Sequence, residues 1–363
     1  MLEVAKGNIR DHKAVNKFGR TENADSGVLT DVWDRANSAQ DQAIWVAPTE
    51  ARAHTIVSTS ASDVSSVATL DLAANASNND TVTIDAKVYT FQTTLTDANG
   101  HVLIGASASA SIDNLIAAIN LAAGAGTTYA NVTTGNPTVV TALAGAGDTM
   151  TLYVATAGAI ATTETGAQMS WGGAVAVEGA SARTLRVYGL TDWDTAEVSE
   201  DINLKGVTGV VTSNSYVIIH RMKVLTKGAT STNAGIITAT ALTDGSVTAH
   251  IKALEGQTQM AIYGVPSIQD AYMTNYHGSL NKNVKTAGAN IHLLVNPEPD
   301  VELTNFLVKH TKGLVSVGVG DNDNQFKPYS KYSGPCIIKI QVLTDTADCD
   351  IDAGFDLILV ENT

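Results

Sequence analysis

Arg183-Thr-Leu-Arg-Val-Tyr188 and Tyr216-Val-Ile-Ile-His-Arg-Met-Lys-Val-Leu225 are the stretches on which the reading of the fold turns. In the first, Leu185 and Val187 alternate with polar neighbours, the period of a half-buried strand. The second alternates around a central apolar pair. Working outward, strands are expected at Gly235–Leu242, Ser246–Ala253, Gln257–Val265, Asn290–Val295, Asn305–His310, Cys336–Leu343 and Phe355–Val360. Thr243-Asp-Gly245 reads as a hairpin turn between two of them. Upstream, Ile44–Val46 and His54–Ser58 read as strands of the same body. Roughly nine strands with frequent turn signals and no long helix predict a mainly β, jelly-roll-like β-sandwich over residues 31–63 plus 179–363.

The intervening residues 64–178 differ in charge. They hold one basic residue, Lys87, against eight acids, a net −7, half of the chain's −14 in about a third of its length. Such a step marks a domain boundary. Within it, Asp80–Ile84 and Lys87–Thr93 alternate and are joined by Asp85-Ala86, predicting a hairpin. The period then changes. Ile112, Leu115, Ile116 and Ile119 form one helical face, with Ser111 expected as N-cap, Asp113 near the positive end, and Gly124-Ala-Gly126 as the stop. Strands return at Pro137–Leu143 and Thr149–Ala155 around the turn Ala144–Asp148. The expectation is an inserted small α+β domain with one helix on a sheet.

Residues 1–30 are polar, carry Lys6, Arg10, Lys13, Lys17 and Arg20, and show no sustained period. They are expected to form an extended N-terminal arm, either a flexible tail or a segment ordered against a neighbouring subunit. The first residues lack the apolar run of a secretion signal, and no apolar stretch reaches the length of a membrane span. A soluble product made in a cytoplasm, with no membrane partner, is the expectation. The acidic balance disfavours gripping a phosphate backbone, so no nucleic-acid partner is expected.

Chemical motifs are sparse. The eight histidines show no ligand spacing, and no nucleophile elbow, phosphate loop or Cys/His hydrolase signature occurs. Asp192-Trp-Asp194 reads as two carboxylates on one strand face, with Trp193 in packing. Asp348, Asp350 and Asp352 stand at a spacing of two on one side of a strand, and Asp321-Asn-Asp-Asn-Gln325 reads as a loop rich in oxygen ligands. A solvated strand face and a surface turn are favoured over a cation site. Cys336 and Cys349 read as buried small hydrophobes, with pairing left open. No catalytic, cofactor-binding or metal residue is singled out, and no enzyme is expected.

Ile56–Asp63, Gly179–Leu190 and Asp192–Leu204, spliced together, resemble a signature of tailed-bacteriophage virion structural proteins. Ser215–Met222 and Gln259–Pro266 fit the same family. Val102–Ala106 and Asp113–Asn120 look like a module recurring in phage structural proteins. The resemblance implies a non-enzymatic particle component, foremost a capsid decoration (cement) protein on the outer head. The alternative is a tail, neck or fibre-associated protein with a host-surface role. It further implies a virion location, contacts with the major capsid protein or other virion proteins, and a symmetric homo-oligomer, a trimer being favoured.

Overall fold

A computed structural model describes residues 12–33, 45, 50–154, 160–172 and 177–362. It is mainly β, with one helix among the described residues. The first quoted stretch is a strand, and the second is one from Ile218 onward. Ala182–Leu190 pairs antiparallel with Val198–Asn203 on one side and Ile218–Lys227 on the other. Leu185 and Val187 are fully buried, as their alternation requires. Ile237–Ala241 and Val247–Ile251 form the expected hairpin, with Gly245 at φ +71 in its turn, and His54–Ser58 adds to the same sheet. Only Trp45 of the Ile44–Val46 expectation lies within the described residues.

The largest sheet is built on strands much longer than their periodicity suggests. Gln269–Asn296 and Leu307–Ser333 run antiparallel through 28 and 27 residues. Extended, the first would span about 90 Å. Yet the Gln269 carbonyl accepts from Gly334 N at 3.0 Å, while Asn296 pairs with Ile337. Both ends therefore meet the same few residues, and the strand folds over near its register break between Lys282 and Thr286. Its halves face each other: Tyr276 donates its hydroxyl to Ile291 O at 2.8 Å. Cys336–Thr344 and Cys349–Glu361 follow along the same flank of Gln269–Asn296, and a core including Tyr276, Leu293, Ile340 and Phe355 fills the fold.

The expected arm is, from His12 to Ala24, a strand of this sheet, paired residue by residue with Cys349–Glu361 of its own chain. Lys17, Gly19 and Thr21 face inward, so the polar run that looked aperiodic alternates after all. A Cβ on Gly19 would stand 2.3 Å from Val32 O, so the close approach of two backbones requires glycine there. The segment Asp321–Gln325, expected as a loop, is strand backbone within Leu307–Ser333. Asp192-Trp193-Asp194, expected on a strand, is a turn in which Asp194 N donates to Asp192 Oδ1 at 2.8 Å.

Residues 64–178 contribute two sheets and the helix. The hairpin Thr81–Ile84/Lys87–Gln92 turns at Asp85, whose φ is +53. The helix spans Ala108–Asn120 and is capped by Ser107, whose hydroxyl accepts from Ala110 N at 3.2 Å. Ser111, expected as the cap, is instead buried and donates to Asn75 Oδ1 at 2.6 Å. The earlier start carries Asp113 out of the first turn. Ile112, Leu115 and Ile119 pack against strands of a core drawn only from residues 68–171. The ends of the segment meet: Val67 pairs with Val177, and Ser181 N donates to Ser62 O at 3.3 Å.

Candidate functional site

The first strand places Lys13 and Lys17 on one face, because even spacing on a strand keeps side chains on the same side. That face meets Glu197, just before Val198–Asn203, His220 on Ile218–Lys227, and Tyr263 on Ile262–Val265. Glu197 is the hub. It accepts from Lys13 Nζ at 2.5 Å, from His220 Nδ1 at 2.9 Å and from the Tyr263 hydroxyl at 3.4 Å. The other ring nitrogen, His220 Nε2, accepts from Gly264 N at 3.2 Å. A proton on Nε2 would oppose that N–H, so the ring is neutral with its proton on Nδ1.

Burial sets the electrostatics. Desolvation lowers the His220 pKa, consistent with the neutral ring, against the pull of Glu197. Burial pushes Glu197 upward, but the His220 and Lys13 contacts outweigh it and hold the carboxyl at about 2. Lys17 is 6% exposed and donates to His220 O at 2.5 Å. Desolvation, with Arg221 adding to it, brings its ammonium down to about 7. The His220 and Tyr263 rings lie with centroids 4.2 Å apart at 33°, closing the apolar side. Together these groups border a pocket of about 190 Å³, which Arg221 and Tyr188 also line.

A second surface lies on the opposite flank of the large sheet. Leu307–Ser333 pairs on one side with Gln269–Asn296 and has no strand on its outer side among the described residues. Val315 is 77% exposed, and Leu307, Val308 and Tyr329 are exposed as well. An uncovered edge of this length offers a row of backbone donors and acceptors to another chain.

The residues singled out in the sequence fall elsewhere. Cys336 and Cys349 are free, buried thiols, and burial pushes Cys336 up to about 12. Asp350 accepts from Asn23 N at 3.1 Å, and Asp352 lies 3.9 Å from Arg20, so both serve the junction with the first strand. Among the described residues no cluster of metal-ligating side chains is assembled. Trp193 packs against the second core. Lys17, Glu197 and His220 carried no spacing signal, since 203 residues separate Lys17 from the carbonyl it meets. The one hint was His220 itself, a polar side chain inside an apolar strand.

Asp63, at the start of the 64–178 segment, is an anchor. It is fully buried and accepts from Ser58 Oγ, Ala182 N, Ala234 N and Gly235 N at 2.6, 3.1, 2.8 and 2.9 Å. One carboxylate thus fastens three segments beside the joint. Compared with family models, curated proteins and solved structures, the chain matches none of them.

Proposed function

We propose that this chain is a structural component of a tailed-bacteriophage particle, acting by assembly and not by catalysis, and foremost as a decoration protein on the outer head. The observation that carries this reading is the uncovered edge Leu307–Ser333 with its exposed apolar side chains. It is suited to adding a strand from a neighbouring subunit, as in a symmetric oligomer seated on capsid protein. The resemblance of Ile56–Asp63 and Gly179–Leu204 to phage structural proteins supports the same reading. The structure also changes the expected attachment. Residues from His12 onward are zipped to the chain's own C-terminal strand, so a clamp formed by residues 12–24 is not part of the proposal.

Counting and locating the protein on particles tests it. Quantitative gel analysis with antibody labelling in electron micrographs should find on the order of hundreds of copies, all on the head. A few copies confined to the tail would replace this reading with the tail or fibre assignment. Absence from purified particles would end both.

A further inference from the structure

We propose that the pocket between the first strand and the Ile218–Lys227 strand binds a small oxyanion, phosphate or carboxylate, between the Lys17 ammonium and the Arg221 guanidinium. The pocket measures about 190 Å³. That is well above the roughly 10–15 Å³ of such space that one water needs, so several waters or one compact anion fit.

The donor inventory favours the anion. Lys17 is buried and has three N–H donors, yet its one described acceptor is the His220 carbonyl. The nearby carboxylate, Glu197, is already taken by Lys13, His220 and Tyr263. Arg221 gives one Nη to Gln257 Oε1 and keeps the rest of its fork beside the cavity. Lys17 and Arg221 therefore border the pocket with donors left over from their protein acceptors. A buried ammonium lacking its own counter-ion is destabilising, and an oxyanion bridging Lys17 and Arg221 would relieve it. The low Lys17 pKa agrees, since burial and then Arg221 push the ammonium down and a bound anion would push it back up. The groups facing Lys17 across the pocket are Lys13, Arg221, Glu197, His220, Tyr188 and Tyr263.

This inference is independent of the particle assignment, and its test uses the full chain alone. Thermal unfolding and calorimetry are run with inorganic phosphate at pH 8, with sodium chloride holding ionic strength constant, and in parallel with acetate. Phosphate should raise the melting temperature and bind with net proton uptake, seen as a heat that varies with the buffer's ionisation enthalpy. Arg221→Gln and Lys17→Met should each weaken binding on the order of tenfold or more. Arg221 is only half-buried, so its variant keeps the test readable if Lys17→Met fails to fold. A response to acetate but not phosphate would assign a carboxylate ligand. No response to either anion, or an unchanged response in Arg221→Gln, overturns the proposal.

Discussion

The segment 64–178 and the body around it reach stability by different means. The segment's core is apolar and local in sequence, and among its described residues the buried polar groups are mostly neutral, such as Ser111, Thr133 and Thr162. The body is pinned by buried charge between residues far apart. Asp31, fully buried, pairs with Lys339 at 3.0 Å across 308 residues, and the buried Asp63 carboxylate holds Ala182, Ala234 and Gly235. Apolar packing tolerates local change, whereas a buried charge left without its partner is strongly destabilising. The contrast teaches that charge density in the sequence is a poor guide to electrostatic structure. The strongly acidic segment keeps its carboxylates largely in solvent, while the body, with the same net charge spread over twice the length, buries Asp31 and Asp63.

The sharpest way to break that comparison is at the joint. Asp63→Ala removes the acceptor of three backbone N–H groups and the Ser58 hydroxyl. It should cost the body about 4 kcal/mol in urea unfolding, because each group stays buried and unpaired. Leu115→Ala, in the fully buried face of the helix, should cost about 3 kcal/mol and shift only the unfolding of residues 64–178. Amide exchange resolves which region loosens. If Leu115→Ala loosened the Lys17 cluster equally, the two cores would be one cooperative unit.

The smallest effect is expected from Lys17→Met, and it carries a sign. The Lys17 pKa stands near 7 when folded against 10.5 for the free side chain, so the unfolded chain binds more protons between those values. The destabilisation from burying the ammonium is present in full below pH 7 and fades as pH rises toward 10.5. Removing the charge should therefore stabilise the protein by about 1–3 kcal/mol at pH 6 and hardly at all near pH 10. Melting temperatures across that range check it, and a gain that grew with pH would contradict the electrostatic cause.

What the sequence disclosed was local. The two-residue turn at Asp85-Ala86 and the longer one holding Thr243-Asp-Gly245 were legible because hairpin turns are decided by neighbours and by positive φ, here at Asp85 and Gly245. The helix was legible in its stripe but not its start. Ser107 and Ser111 are both competent caps, and the choice was made by Asn75, which draws Ser111 into a buried hydrogen bond. The length of Gln269–Asn296 was hidden by Gly278, Gly288 and its asparagines, which break any hydrophobic period. Its continuity comes from pairing with partners up to 92 residues away, as at Gln269 and Glu361. The candidate site was hidden for the same reason. Lys13 and Lys17 read as a charged tail until Cys349–Glu361 pairs with their strand, which buries Lys17 and sets Lys13 at the pocket's rim.

The central claim is that a β body closed by its own first strand hosts a separable segment at the Asp63/Gly179 joint. A Cβ on Gly179 would lie 2.0 Å from Val64 O, so the two chains leaving the body are in contact and a short linker bridges them. Residues 64–178 are therefore excised, Asp63 is joined to Gly179 through a few glycines, and thermal unfolding is followed by near-ultraviolet circular dichroism. A single cooperative transition within a few degrees of the body's transition in the full chain is the expected result. Loss of cooperative unfolding in the excised chain would show that the segment is part of the body's fold and contradict the account.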